Sequence, residues 1–149
     1  MRSFITALLS SLILSACTSQ QTSPINSTLI LRDIFSQESS SFVQGENIEF
    51  YLTATNSSES AVTVDFTSSQ QYDFTVESTN GSKIWRRSDG KVFAPSLSSI
   101  TFQPGESKIF SVTWNQILSN AHNIAIGSYV AKGSLLNNSS ISEYNFEIQ

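Results

Sequence analysis

The chain has 149 residues, 39% of them hydrophobic and 13% charged, and its 12 acidic against 8 basic side chains give a net charge of −4 at pH 7. This length fits one domain whose core needs no disulfide, and the single cysteine allows no bridge within the chain. The acidic balance disfavours nucleic acid as a partner, because binding to a phosphate backbone needs basic side chains.

The first sixteen residues have the pattern of a secretory signal. Arg2 precedes a mainly apolar run over residues 4–14, which is of signal-peptide length and too short to span a bilayer as a folded helix. Residues 14–17 read LSAC and resemble a bacterial lipobox, in which the cysteine is diacylated and becomes the new N-terminus. The pattern predicts a lipoprotein signal peptide at residues 1–16 and lipid attachment at Cys17. The alternative is an ordinary secretory signal that ends near a cysteine.

Lipid attachment at Cys17 predicts a location in the cell envelope. Two or three acyl chains anchor stably, so the membrane is expected as a partner through the lipid rather than through a basic face. Thr18 in the next position is compatible with the outer membrane, facing the periplasm, if the source is Gram-negative. Residues 17–27 are polar after the cysteine and predict a flexible tether, which leaves residues 28–149 as the folded domain.

From Thr28 onward, apolar and polar residues alternate with the period of two that is typical of half-buried strands. The clearest alternation lies within residues 47–56. Further strands are predicted at residues 61–68, 71–78, 83–87, 99–103, 108–114, 128–136 and 141–148. Eight or nine short strands at this spacing predict an all-β sandwich or barrel. Residues 115–123 are the one segment that could form a helical turn.

A hairpin is predicted where Asn80-Gly81 separates two of these strands. The dipeptide favours a two-residue turn with positive φ, which would join residues 72–78 to residues 83–87. On the second strand we expect Trp85 to enter the core. Arg86 would then be exposed, with Arg87 near the strand end.

Catalytic and metal-binding residues are scarce. A Ser-His-Asp catalytic site needs a histidine beside the nucleophile. The one histidine, His122, lies among Asn and Ala, and no Gly-x-Ser-x-Gly motif occurs, so the sequence disfavours such a site. A zinc site needs clustered His or Cys ligands, which one residue of each type cannot supply. The sequence also contains no Asp-x-Asp-x-Asp run of the kind that binds calcium. The acids Asp73, Asp89 and Glu106 are instead typical of turn formers. The sequence therefore predicts a protein that is not an enzyme and that binds no metal or other cofactor.

Aromatic residues offer one further reading of the sequence. Tyr51, Tyr129 and others could line a sugar-binding face, but most of them fall on predicted strands. Aromatic side chains on strands serve first in core and cross-strand packing. We therefore favour a core role for them.

An ordered series of residues runs through the middle of the chain. Its members are Tyr72-Asp73-Phe74, Asn80-Gly81, Trp85-Arg86, Gly90, Phe93, Pro104-Gly105-Glu106-Ser107, Phe110, Trp114 and Gly127-Ser128-Tyr129. Over about residues 43–135, the series resembles the BsuPI family, named after an intracellular proteinase inhibitor of a bacillus. The resemblance implies an immunoglobulin-like antiparallel β-sandwich of about eight strands. It also implies proteinase inhibition by binding.

A proteinase inhibitor needs a rigid loop that reaches the protease cleft, and no disulfide braces one here. The candidate loops are residues 86–95 and 119–126. In the first, Arg86 and Arg87 are predicted partner contacts. Basic anchors suit a trypsin-like pocket, whereas a subtilisin-like enzyme would prefer an apolar one. The alternative is a non-enzymatic envelope module that docks another protein through a strand edge or a loop end.

Overall fold

The computed structural model describes residues 23–149, which form ten β-strands and no helix. The strands are β1 (Ile25–Arg32), β2 (Ser41–Phe42), β3 (Ile48–Asn56), β4 (Val62–Phe66), β5 (Tyr72–Ser78), β6 (Lys83–Arg86), β7 (Ser98–Phe102), β8 (Ser107–Trp114), β9 (Gly127–Leu135) and β10 (Ile141–Ile148). Within this part of the chain, no helix is long and apolar enough to cross a bilayer.

The strands assemble into two main sheets that pack face to face. One has the order β1-β3-β8 and the other the order β2-β10-β9-β5-β6, while β4 and β7 form a separate pair. Pairing is antiparallel except between β2 and β10. The arrangement confirms the predicted all-β, immunoglobulin-like sandwich.

The core lies between the sheets and follows from the alternation in sequence. On β3, every second side chain from Ile48 to Ala54 is fully buried, because successive residues of a strand point to opposite faces. The main cluster includes Phe74 and Phe146 from the other sheet. A second cluster fills the end near β4 and β7 around Phe66 and Phe102. Apolar burial of this kind is the chief stabilising term of the fold.

The structure has ten strands rather than about eight. The additional elements are at the beginning of the domain: β1 starts at Ile25, inside the predicted tether, and β2 has only two residues. Hydroxyl side chains interrupt the apolar alternation of β1, which weakens its signal in the sequence. The predicted signal peptide, Cys17 and residues 17–22 of the tether lie outside the described residues.

Two local expectations differ from the structure. The connection between β5 and β6 has four residues, 79–82, and of the Asn-Gly pair only Gly81 has positive φ (84°). The register shift between Val76 and Glu77 explains the longer connection, since a bulge changes which residues face each other across the pair. Residues 115–123 contain no helical turn; Ile117 and Asn123 form an isolated β-bridge there.

Candidate functional site

The two longest connections between strands are residues 87–97, between β6 and β7, and residues 115–126, between β8 and β9. They contain most of the two candidate loops predicted from sequence. We call the first the β6–β7 loop and the second the β8–β9 loop. The two loops differ in how they are attached to the sandwich and in the side chains that they expose.

The β6–β7 loop starts at a buried carboxylate. Asp73 on β5 is only 3% exposed, and its Oδ2 accepts hydrogen bonds from Arg86 Nε and Ser88 Oγ, each at 2.6 Å. Its Oδ1 accepts a third from the backbone N–H of Phe74 at 3.0 Å. A buried carboxylate without partners is costly, and hydrogen bonds to a charged group are strong. The Asp73 group therefore holds the beginning of the loop against β5.

Arg87 makes a second attachment on the other face of β5. Its guanidinium carbon lies 4.1 Å from the centre of the Tyr72 ring, and its Nη1 donates to the Tyr72 carbonyl at 3.3 Å. Its backbone N–H donates to the carbonyl of Phe74 at 2.9 Å. The cation–π contact and these hydrogen bonds add to the support from Asp73.

The far side of the loop is fixed at Ala94. Its carbonyl accepts from Ser69 N at 2.9 Å, and its N–H donates to Ser69 Oγ at 3.1 Å. The tip at residues 90–93 thus lies between two held points. Val92 at this tip is 98% exposed, and Leu97 just beyond the second point is 85% exposed. These two apolar side chains contribute little to the fold and are available to a partner.

A buried amide attaches the β8–β9 loop to the segment after β2, and Gln44 Nε2 adds a hydrogen bond to the Ile124 carbonyl at 2.7 Å. Gln116 has positive φ (61°) and is fully buried; its Nε2 donates to the carbonyls of Val43 and Glu46, and its Oε1 accepts from Gly45 N. Ile124 is also buried and anchors the return of the loop. The tip at residues 119–123 carries only small or polar side chains, His122 among them. The tip itself carries no large apolar side chain, and the one exposed in this loop is Ile126, which is 67% exposed just before β9.

The acids considered for metal binding or turns occupy different environments. Glu106 lies in the turn between β7 and β8, where its Oε2 accepts from Gln103 N at 2.7 Å. Asp89 pairs with Lys83 at 2.9 Å. Asp73 lies on a strand instead of in a turn, so its assignment as a turn former was wrong. Within residues 23–149, no group of three His, Cys, Asp or Glu side chains could hold a metal ion.

Sequence reasoning named the two arginines as partner contacts and missed Asp73, which organises the base of the loop. Arg86 ends β6 and Arg87 begins the β6–β7 loop, and their contact with a partner stays a prediction. The signal for Asp73 was a lone acid between two aromatic residues on a predicted strand, which a hairpin would bring close to Arg86 and Arg87 at the end of the next strand. Trp85 packs as expected: its ring stacks on Trp114 with centroids 5.0 Å apart.

The match to a known protein family covers most of this domain. The sequence pattern of a family described as BsuPI, intracellular proteinase inhibitor, matches residues 35–140, which include the whole β6–β7 loop. No curated protein matches the chain.

Several solved structures share the fold. One is the alkylpurine DNA glycosylase of Pseudomonas fluorescens bound to DNA with an abasic site analogue (TM-score 0.52, 10% identity, 85% of this chain and 31% of that chain). Another is a β-glucosidase from Erythrobacter marinus (TM-score 0.50, 8% identity, 85% of this chain and 16% of that chain). The chain spans less than a third of either protein. At these identities the likeness shows the fold alone.

The family description corrects the predicted location. Its proteins are described as intracellular, which contradicts the lipid-anchored location in the cell envelope inferred from the N-terminal residues. That inference rested on residues 1–18, before the matched region begins. With one cysteine in the whole chain, the fold depends on no disulfide and is compatible with a reducing compartment.

Proposed function

The chain belongs to the BsuPI family of intracellular proteinase inhibitors, and on this premise we propose that it inhibits a proteinase through its β6–β7 loop, by binding without catalysis. The observation that carries the proposal is Val92, an almost fully exposed apolar side chain at the tip of a loop held on both sides.

Order in the free loop matters because every flexible side chain and backbone segment that becomes fixed on binding lowers the affinity. The contacts of Asp73 and Ala94 supply this order in the free protein. They take the place of the disulfide that the chain does not have. The loop is therefore suited to enter a cleft with little rearrangement.

The chemistry of the loop tip favours one kind of target. Burying an aliphatic side chain such as Val92 in an apolar pocket contributes about 1.5 to 3 kcal/mol. At the base of the loop the basic groups are already engaged, Arg86 with Asp73 and Arg87 with Tyr72, whereas Lys91 lies exposed beside Val92 at the tip. We therefore propose a proteinase with an apolar primary pocket. Direct contact of Arg86 and Arg87 with the partner stays a prediction.

The test is an inhibition assay of the purified chain against serine proteinases with apolar, basic and small primary pockets. We expect tight-binding inhibition of one with an apolar pocket, and an inhibition constant about tenfold or more higher for Val92→Ser. Val43→Ser is the matched control. Val43 is also exposed, and it directly follows β2 near Ile148. This is the end of the five-stranded sheet opposite to Tyr72 and Leu135, where the β6–β7 loop is attached.

Two results would contradict the proposal. If Val92→Ser and Val43→Ser inhibit equally well, the loop tip is not the anchor. If Arg87→Ala abolishes inhibition while Val92→Ser does not, the anchor is basic. A folded chain that inhibits none of the proteinases but captures another protein would favour a non-inhibitory interaction module.

A further inference from the structure

Strand β8 forms one edge of the three-stranded sheet. Among the described residues, β3 is the only strand that pairs with it. The preceding strand β7 does not cover the free edge, because it pairs with β4 instead. An uncovered edge offers a row of backbone N–H and C=O groups to another strand.

The register shows which groups of β8 point away from β3. Asn56 N donates to the Glu106 carbonyl, whereas Gly105 N donates to the Asn56 carbonyl, so Asn56 and Glu106 form the bulged equivalent of a hydrogen-bonded position. In an antiparallel pair such positions alternate, which directs the backbone groups of Ile109, Ser111 and Thr113 outward. The Tyr72 hydroxyl confirms this direction, because it reaches the Ser111 carbonyl from outside the pair at 3.4 Å.

The side chains along this edge carry no charge between residues 109 and 113. On the outer face Ile109 is 54% exposed, and Ser111 and Thr113 are exposed beside it. On the inner face Phe110 and Val112 are half-buried at the rim of the core. Edges are usually protected by charged residues, proline or a bulge, and this stretch has none of these.

We propose that β8 pairs antiparallel with β8 of a second copy of this chain, about a twofold axis at Ser111. In this register Ser111 faces its own counterpart, and Ile109 of each copy faces Thr113 of the other. All three positions have outward backbone groups, so each facing pair forms two hydrogen bonds. The two three-stranded sheets join into one continuous sheet across the axis.

The facing side chains favour a second copy over an unrelated strand. Phe110 of one copy lies against Val112 of the other, which is a favourable aromatic–β-branched pair and covers two half-buried side chains. No charge faces itself in this register, although the chain as a whole carries a net charge of −4. The Tyr72 hydroxyl, at 3.4 Å from the outward Ser111 carbonyl, must move aside or share that carbonyl when the new bond forms. This inference is independent of proteinase binding.

Placing a positive or a negative charge at Ser111, on the twofold axis, tests the proposed register. The full chain and its Ser111→Lys and Ser111→Glu variants are examined by sedimentation equilibrium over a range of concentrations, and their folding is compared by circular dichroism. We expect the wild type to dimerise. In each variant, like charges face each other at the axis and raise the dimer dissociation constant by about fivefold or more. An equimolar mixture of the two variants is expected to dimerise again, since the introduced ammonium group of one copy then faces the introduced carboxylate of the other.

Thr53→Lys is the matched control, because Thr53 lies on the same face but on the central strand β3. It is expected to leave the dissociation constant unchanged. A wild type that stays monomeric at all concentrations would overturn the proposal. Dimers of Ser111→Lys as stable as those of the wild type, or a mixture of the two variants that stays monomeric, would also overturn it.

Discussion

At the scale of single residues, a few buried polar side chains connect distant segments of the backbone. Three stand out among the described residues: Asn56, Asp73 and Gln116. Asn56 Nδ2, for example, donates to the carbonyls of Ser60 and Phe102. Since buried polar groups must find partners, each of these side chains imposes one geometry on the loops around it. In the β6–β7 loop this residue is Asp73.

Asp73→Ala is expected to destabilise the fold and loosen the β6–β7 loop. The change leaves Arg86 and Ser88 without their shared acceptor, and we expect the free energy of unfolding to fall by about 1.5 to 3 kcal/mol. Urea unfolding measures this loss. Asp65→Ala is the control, because the Asp65 side chain is exposed on β4. A loss no larger than that of the control would show that Asp73 does not hold the loop.

At the scale of elements, the turn between β7 and β8 depends on one carboxylate. Glu106 Oε1 accepts from Lys108 Nζ at 2.6 Å, and Oε2 accepts from Gln103 N at 2.7 Å. The hydrogen bond from Lys108, followed by that from Gln103, lowers the pKa of Glu106 below its ordinary value. The charged carboxylate thus favours the turn that directs β8 back along β3.

The lowered pKa of Glu106 predicts a pH dependence of stability. Because its pKa in the folded state is below that in the unfolded state, its contribution is fully present above the unfolded pKa and is lost as the pH falls through the folded pKa. Glu106→Gln is therefore expected to be less stable than the wild type at neutral pH, and the difference is expected to shrink in acid. Urea unfolding of both proteins at a series of pH values checks this. A difference that stays constant with pH would contradict it.

Most elements could be predicted from the sequence, and the failures have local causes. Strands β3 to β10 were predicted within about two residues of their ends, since alternation and turn residues are local signals. β2 is too short to show a period, and hydroxyl side chains interrupt the pattern of β1. Of the candidate site, the sequence named Arg86 and Arg87 as partner contacts, which stays a prediction, and it did not indicate the burial of Asp73 or the exposure of Val92. Burial of the first and exposure of the second depend on neighbours that the sequence does not reveal.

At the scale of the whole molecule, close packing of the two sheets depends on Gly133 in β9. A Cβ atom at this position would lie 3.0 Å from Leu52 Cδ1 and 3.2 Å from Phe74 Cε1. Leu52 belongs to the opposite sheet, and Phe74 to the neighbouring strand β5. The missing side chain therefore sets how closely the sheets approach.

Gly133→Ala is expected to destabilise the whole sandwich. Leu52 and Phe74 must shift to accept the methyl group, and overpacking of this kind costs about 1 to 3 kcal/mol. Thermal unfolding measures the change. Ala131→Gly, two residues earlier on the same face of β9, is a control in the opposite direction, which we expect to destabilise by removing a buried methyl group. If Gly133→Ala stabilises the protein, the sheets have room there and the argument fails.

The sequence by itself determined the all-β class, the positions of most strands and the family resemblance, because these rest on alternation, turn residues and motifs read along the chain. Only the tertiary structure decided the strand order, the Asp73 group beneath the β6–β7 loop, the exposure of Val92 and the free edge of β8. Each of these depends on which strands lie side by side. That choice is made by packing and hydrogen bonding between residues far apart in the chain, and no local pattern records it.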